Sequence, residues 1–322
     1  MIEPMEQLLR RAARLQRDGR PVVACLIVKT HGSTPQSAGA LMLVDDAANT
    51  WGTIGGGCVE AEVRRRAHAL MSERGTGILQ FSLDHDDGAD DGLICGGTIH
   101  LIVAPLPKPD ELDAIADDVK HRRSTSIEFA VQDEHSTGQR YTLDLPPRDR
   151  LYIAGAGYVG QALARLAIGL EFEVTMFDDR EDMLERFAHP EAKKVSGDIA
   201  GALKAADIDD RTYCVIVTRG HRHDEQALGA VIQRGARYIG MIGSKRKVQV
   251  ILDDLRAMGL DDAALEAVVA PIGIDIGSVT VDEIALSIAA QLVKVRRSDS
   301  IELVKGPFAL ASSDPGGSAA RP

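Results

Sequence analysis

Leu151-Tyr-Ile-Ala-Gly155-Ala-Gly157-Tyr158-Val159-Gly160 carries an apolar run into a GxGxxG turn, and the helix-like run Gln161 to Ile168 follows directly. Each glycine has its own task in such a turn. Gly155 makes the tight bend, Gly157 lets a pyrophosphate approach the backbone, and Gly160 lets helix and strand pack closely. Tyr158 and Val159, between the glycines, belong to the same cofactor-binding turn. The next apolar run, Glu173 to Phe177, ends at Asp178. This lies about 20 residues beyond the turn, where a carboxylate accepts a ribose hydroxyl. An Asp there favours a free 2′-hydroxyl over a 2′-phosphate, and the adjacent Arg180 weakens that preference.

Around this turn the second half alternates strand-like and helix-like runs, with strands expected near 151–155, 173–177, 193–196, 212–218, 237–242 and 267–270. Such alternation implies a parallel, doubly wound sheet. The final helix opens on the capping box Thr280-Val-Asp-Glu283 and runs to about Val295. The first half differs. Met5 to Arg17 repeats apolar residues at helical spacing, strand-like runs follow near 22–29, 40–44, 78–83, 99–104, 127–131 and 140–145, and helices are expected near 59–73 and 109–122. The fold class is therefore α/β: an α+β domain over 1–148, then a Rossmann-like doubly wound parallel sheet over 149–297. Residues 298–322 are expected to form a C-terminal extension, largely disordered, because Ser312 to Pro322 is rich in Ser, Gly, Pro and Ala.

Ligands of a doubly wound sheet bind at the carboxyl ends of its strands, and three loops there stand out. Thr218-Arg219-Gly220-His221-Arg222-His223-Asp224 offers Arg219 to an anion and His221 as proton carrier or ligand; alternatively it is a helix cap with Asp224 accepting backbone N–H groups. Gly243-Ser244-Lys245-Arg246-Lys247 sets cations at a helix start, where they oppose the dipole and so suit an anionic partner such as a phosphate. Pro271-Ile-Gly273-Ile-Asp275-Ile-Gly277 places Asp275 where it can hydrogen-bond a base or sugar.

The first half has a glycine turn of its own, Thr53-Ile-Gly55-Gly56-Gly57-Cys58-Val-Glu60. Unpaired N–H groups at a helix start favour anions and activate a thiol, so the stretch reads as an anion cradle at Gly55, Gly56 and Gly57 beside a nucleophile or ligand at Cys58. It reads equally as a tight turn around a small residue. His31-Gly-Ser-Thr-Pro-Gln36 is either a heterocycle contact or a plain turn, and Cys95-Gly-Gly97 places a second cysteine beside glycines. The acidic run Asp84 to Asp91 lacks EF-hand spacing and reads as a solvated loop.

Composition narrows the function classes. The 322 residues suffice for two cores, and a net charge of −11 without a basic run argues against a nucleic-acid surface. Arg64-Arg65-Arg66 is offset by Glu60 and Glu62, as on a solvated helix face. Met1 to Gly19 has no signal-peptide core and no run has membrane length, so a cytoplasmic protein with no membrane association is expected. The four cysteines, Cys25, Cys58, Cys95 and Cys214, show no CxxC spacing and are expected to be reduced.

Seven stretches in order, 31–44 (HGSTPQSAGALMLV), 52–63 (GTIGGGCVEAEV), 93–97 (LICGG), 151–160, 218–228 (TRGHRHDEQAL), 238–247 (YIGMIGSKRK) and 271–292 (PIGIDIGSVTVDEIALSIAAQL), resemble the XdhC/CoxI family of molybdenum-hydroxylase maturation factors. The resemblance spans nearly the whole chain. Gln36 and Val281 depart from it, standing where related sequences often have arginine and proline. It implies a chaperone with no catalytic residues, one that binds molybdenum cofactor (molybdopterin, in mononucleotide or dinucleotide form), protects it during sulfuration and delivers it to an apo molybdenum hydroxylase of the xanthine, aldehyde or CO dehydrogenase type. A cysteine desulfurase or other sulfur donor and a homodimer are the further partners it implies. The cofactor's tail would lie on Gly155, Gly157, Gly160 and Asp178, with Cys58, Glu60, Cys95 and His221 near its dithiolene end and Cys58 a ligand for molybdenum. Motif chemistry alone leaves two other readings: an NAD(P)-dependent oxidoreductase with His221 or Lys245 in acid/base work, and a nucleotide-sensing module.

Overall fold

A computed structural model describes residues 3–84, 94–133, 136–298 and 302–307; the side chains of 84, 94, 95, 133, 136 and 137 fall outside that description. Contacts divide the chain into two units, Met1–Pro146 with Ile301–Pro322, and Pro147–Ser300.

The first unit contains α1 (Met5–Arg17), β1 (Val22–His31), β2 (Leu41–Asp45), β3 (Thr50–Gly52), α2 (Gly57–Ser72), β4 (Gly77–Asp84), β5 (Ile94–Pro105), α3 (Pro109–Lys120), β6 (Thr125–Asp133) and β7 (Ser136–Leu145). One antiparallel sheet has the order β3-β2-β1-β5-β4. The continuous apolar run of β1 reflects burial on both faces. Val22, Ala24, Leu26 and Val28 point into the core shared with α1, α3 and the β6–β7 sheet. Val23, Cys25 and Ile27 point into the core beneath α2.

The second unit contains β8 (Arg150–Ala154), α4 (Tyr158–Gly169), β9 (Glu173–Asp178), α5 (Glu181–Glu185), β10 (Lys193–Ser196), α6 (Ile199–Ala205), β11 (Thr212–Ile216), α7 (His221–Val231), β12 (Tyr238–Met241), α8 (Lys245–Ala257), α9 (Asp262–Glu266) and α10 (Val281–Ser298). Its sheet is parallel with the order β10-β9-β8-β11-β12, the doubly wound arrangement expected from the alternation. Residues expected as a sixth strand contribute a single parallel bridge, Val269 to Gly240. The same alternation organises β8: Leu151 and Ile153 face α4 and α10, while Tyr152 and Ala154 face α6, α7 and α8. At the start of α10 the expected capping box is formed. Glu283 Oε2 accepts the N–H groups of Val279 at 2.7 Å and Thr280 at 2.8 Å, and Thr280 Oγ1 accepts from Glu283 N at 3.3 Å.

Part of the expected C-terminal extension is ordered. Residues 302–307 return to the first unit, where β13 (Val304–Lys305) pairs with Leu143 and Thr142 of β7 and buries Val304. Short strands of this kind carry too little periodicity to be seen in sequence. The Ser312–Pro322 tail and the acidic run after Asp84 lie outside the described residues. Among the described residues, no helix is long and apolar enough to cross a membrane.

Candidate functional site

In the second unit the strand order reverses between β8 and β11, the switch point at whose carboxyl-end crevice doubly wound sheets hold their ligands. The glycine turn forms one wall. Gly155 has φ +113°, and a Cβ there would sit 2.5 Å from Val217 O. A Cβ on Gly160 would collide with the carbonyl oxygen of Gly155. Gly157, the N-cap of α4, has nothing within 4 Å of a Cβ position, so its backbone faces open space. The Tyr158 side chain is 73% exposed, whereas Val159 packs against the core. An open N-cap leading into first-turn N–H groups is a site for an anion.

Asp178 requires a correction. It is 1% exposed, and both carboxylate oxygens are used within the protein. Oδ2 accepts from Ala156 N at 2.6 Å and from Arg180 Nη2 at 2.9 Å, and Oδ1 accepts from Arg180 N and Nε, each at 2.9 Å. Burial pushes this carboxyl up, but the Arg180 guanidinium and the two backbone N–H groups outweigh it and hold it below the usual range. Asp178 is thus the anchor beneath the glycine turn and does not face a ribose. Asp179, one residue on, is the partly exposed carboxylate at this strand end, and Arg219 Nη2 donates to it at 2.7 Å. His223 Nε2 lies 3.8 Å from the same oxygen.

The loops after β11 and β12 are tied together from below. Asp224 is fully buried; Oδ1 accepts from Thr218 Oγ1 at 2.5 Å and Thr218 N at 3.2 Å, and Oδ2 accepts from Lys247 Nζ. Of the cations in the turn after β12, Lys247 is therefore committed internally. Lys245 and Arg246 are exposed, and among the described residues they form no ion pair. Ser244 is the N-cap of α8, its Oγ accepting from Lys247 N at 3.3 Å, and Gly243 precedes it. Arg219, expected as an anion ligand, meets Asp179, so an anion would compete with that carboxylate. His221 opens α7 and faces Glu225 and Asp254. Asp275 is exposed and accepts from Gly277 N at 3.2 Å, closing a local turn.

In the first unit, Gly55, Gly56 and Gly57 all have positive φ, at +126°, +81° and +65°. Three such residues in succession turn the backbone into the start of α2 and leave Cys58 exposed in its first turn. Glu60 does not face outward with the arginines. Its Oε1 accepts from Thr53 Oγ1 at 2.8 Å and Ile54 N at 3.1 Å, which holds the loop in place, while Glu62 alone pairs with Arg65 and Arg66. The separate motifs of this unit meet here. A Cβ on Gly55 would lie 2.6 Å from Pro35 Cγ, and one on Gly97 would collide with Ser33 O. The His31–Gln36 loop thus lies between the glycine turn and the Gly96–Gly97 end of β5. Thr34 Oγ1 is spent inside that loop, donating to Gln36 O at 2.8 Å. Cys25 and Cys214 are buried, and burial pushes both thiols up to about 12. The Cys95 side chain is outside the described residues.

Two family models match this chain: the XdhC Rossmann domain over residues 151–292, and the XdhC and CoxI family over residues 15–82. The chain belongs to the XdhC and CoxI family. Among its relatives, the molybdenum cofactor insertion chaperone PaoD of Escherichia coli is 24% identical, over 90% of this chain and 88% of its own. A Bacillus subtilis protein, named as a probable subunit of xanthine dehydrogenase, is 21% identical, over 88% of this chain and 96% of its own. An uncharacterized Escherichia coli protein, YqeB, is 27% identical over 89% of this chain, which spans only 46% of YqeB's length. A crystal structure of a Bacillus halodurans protein described as a xanthine dehydrogenase shares the fold, with a TM-score of 0.77, 24% identity, and coverage of 92% and 96%.

Within this family member, Asp179 is the site residue that sequence reasoning passed over; Asp224, read as a cap acceptor, does accept Thr218 N but also takes Lys247, one of the cations expected to suit a phosphate. The signal for Asp179 was present as an Asp-Asp pair at a strand end, where a shift of one residue exchanges the buried and exposed faces. No local signal marks the Asp224–Lys247 pair, because its members come from different helices.

Proposed function

We propose that this chain binds molybdenum cofactor and passes it to an apo molybdenum hydroxylase of the xanthine or aldehyde dehydrogenase type, acting as a chaperone without turnover of its own. The observation that carries the reading is the contrast among the described thiols. Cys58 is exposed at a helix start behind three positive-φ glycines, while Cys25 and Cys214 are buried. The names of the XdhC-family relatives, a molybdenum cofactor insertion chaperone among them, support the same cargo.

Each unit by itself carries chemistry suited to a group that such a cofactor bears. In the second, the open backbone at Gly157 and the exposed Lys245 and Arg246 suit a phosphate or pyrophosphate. Asp179 takes the ribose role that Asp178 cannot. In the first, Cys58 is a soft ligand for molybdenum, flanked by N–H groups that favour anionic oxo or sulfido ligands. Sulfuration during residence, a cysteine desulfurase as sulfur donor, and a homodimer belong to the same proposal.

Purification from cells grown with and without molybdate, followed by metal analysis, pterin fluorescence after oxidation and an NADH-turnover assay, tests it. Stoichiometric pterin without turnover, lost in Cys58→Ser together with activation of a client hydroxylase, is expected. Steady NADH turnover in protein free of pterin would instead establish the oxidoreductase reading, which the crevice of the second unit taken alone also accommodates.

A further inference from the structure

His221, which the family resemblance would place near the cofactor, meets instead Glu225 and Asp254, two carboxylates to which the cofactor reading gives no role. His221 and Glu225 are one turn apart on α7, and Asp254 comes from α8. His221 Nε2 lies 3.7 Å from Glu225 Oε2 and 3.6 Å from Asp254 Oδ2, and the three ligand atoms all fall within 4.8 Å of one another. Donors on a first-row divalent ion, bound at about 2.0–2.2 Å, stand roughly 3–3.6 Å apart. The triangle is therefore near the size that an ion would draw together.

Charge points the same way. Elsewhere in the chain, clustered carboxylates face arginines: Asp110 and Asp113 meet Arg17, Glu62 meets Arg65 and Arg66, and Asp253 meets Arg256. Glu225 and Asp254 have no lysine or arginine partner among the described residues; each faces only the imidazole. Two carboxylates converge on one imidazole with no lysine or arginine paired to them among the described residues, and a bound cation would offset their charge. The set of one nitrogen and two oxygen donors suits a borderline divalent metal, and side-chain exposures of 41% for His221 and 49% for Asp254 leave room for water to complete the coordination.

We propose that His221, Glu225 and Asp254 bind a divalent first-row transition metal that clamps α7 to α8. The clamp lies over the same two helices that the buried Asp224–Lys247 pair joins from inside. Metal occupancy would thus steady the loop after β11 and the turn after β12, two rims of the crevice, whether or not the cofactor reading holds.

The test is calorimetric titration of the metal-stripped full chain with Zn2+, and with Mn2+ followed by electron paramagnetic resonance, for the parent, Asp254→Asn, Glu225→Gln and Cys58→Ser proteins. One Zn2+ per chain is expected, with a raised thermal midpoint. Affinity should fall at least about tenfold in Asp254→Asn and in Glu225→Gln, the loss typical of damage to a metal site, and be retained in Cys58→Ser. Absence of saturable binding by the parent, or a loss smaller than tenfold in both carboxylate variants with unchanged circular dichroism, overturns the proposal.

Discussion

The two glycine turns, Gly55-Gly56-Gly57 and Gly155-Ala156-Gly157 with Gly160, look alike in sequence and differ in what demands the glycine. In the second unit the demand comes from neighbouring backbone, because a Cβ on Gly155 or Gly160 would strike a carbonyl oxygen. In the first it comes chiefly from the chain's own dihedrals: Gly56 and Gly57 have open space around them but positive φ. Both turns end at a helix start with unencumbered N–H groups. Packing acts alone at Gly160 and joins a positive φ at Gly155 and Gly55, whereas at Gly56 and Gly57 backbone conformation alone asks for glycine. The positions with open space, Gly157 in one turn and Gly56 and Gly57 in the other, are where a ligand can come closest.

Substitutions separate these causes. The largest loss is expected below the second turn: Asp178→Ala removes a buried carboxylate, strands Arg180 and Ala156 N, and should lower stability by about 3 kcal/mol in urea denaturation. The folded state holds this carboxyl below its ordinary range. Its stabilisation is therefore complete above about pH 4 and is lost as pH falls through the lower, folded-state value, so Asp178→Asn should flatten the acid limb of the stability profile. Gly160→Ala follows at about 2 kcal/mol, since the helix must move off the strand turn. Gly56→Ala meets no neighbour and should cost about 1–2 kcal/mol through strain at φ +81° alone. Gly157→Ala is the smallest, within about 0.5 kcal/mol of the parent in the same denaturation experiment. Its methyl group nevertheless occupies the path of an incoming phosphate, so cofactor retained per chain on purification should drop. Equal stability losses at Gly157 and Gly160 would erase the distinction between open and packed glycines.

Much of this architecture is legible along the chain. The alternation in the second half, the GxGxxG turn and the Thr280–Glu283 capping box each depend on residues within a few positions of one another, and the structure forms all of them. The cysteine of interest is also visible, since Cys58 sits on a glycine-rich helix start while Cys25 lies within a continuous apolar strand. Less legible are the partners of charged groups. Spacing makes Glu60 one of the carboxylates offsetting the arginine cluster, and family resemblance makes it a neighbour of the cofactor, yet it turns back to Thr53 and Ile54. Position makes Asp178 a ribose contact, yet it is an internal anchor. In each case the residue type and place suit an anion near a glycine turn, and the nearest unpaired backbone N–H groups claim it first.

Periodicity and turn chemistry are local, so the order of residues alone indicated most of the strands and helices and where the chain must bend, short pieces such as β3 and β13 excepted. Tertiary structure chose the partners. It placed Asp178 inside and Asp179 outside at one strand end, joined Asp224 to Lys247 across two helices, gathered His221, Glu225 and Asp254 into one cluster, and brought Val304 back to β7. These outcomes depend on which distant groups share a low-dielectric or crowded space once the sheets have formed, and spacing along the chain carries no record of that space.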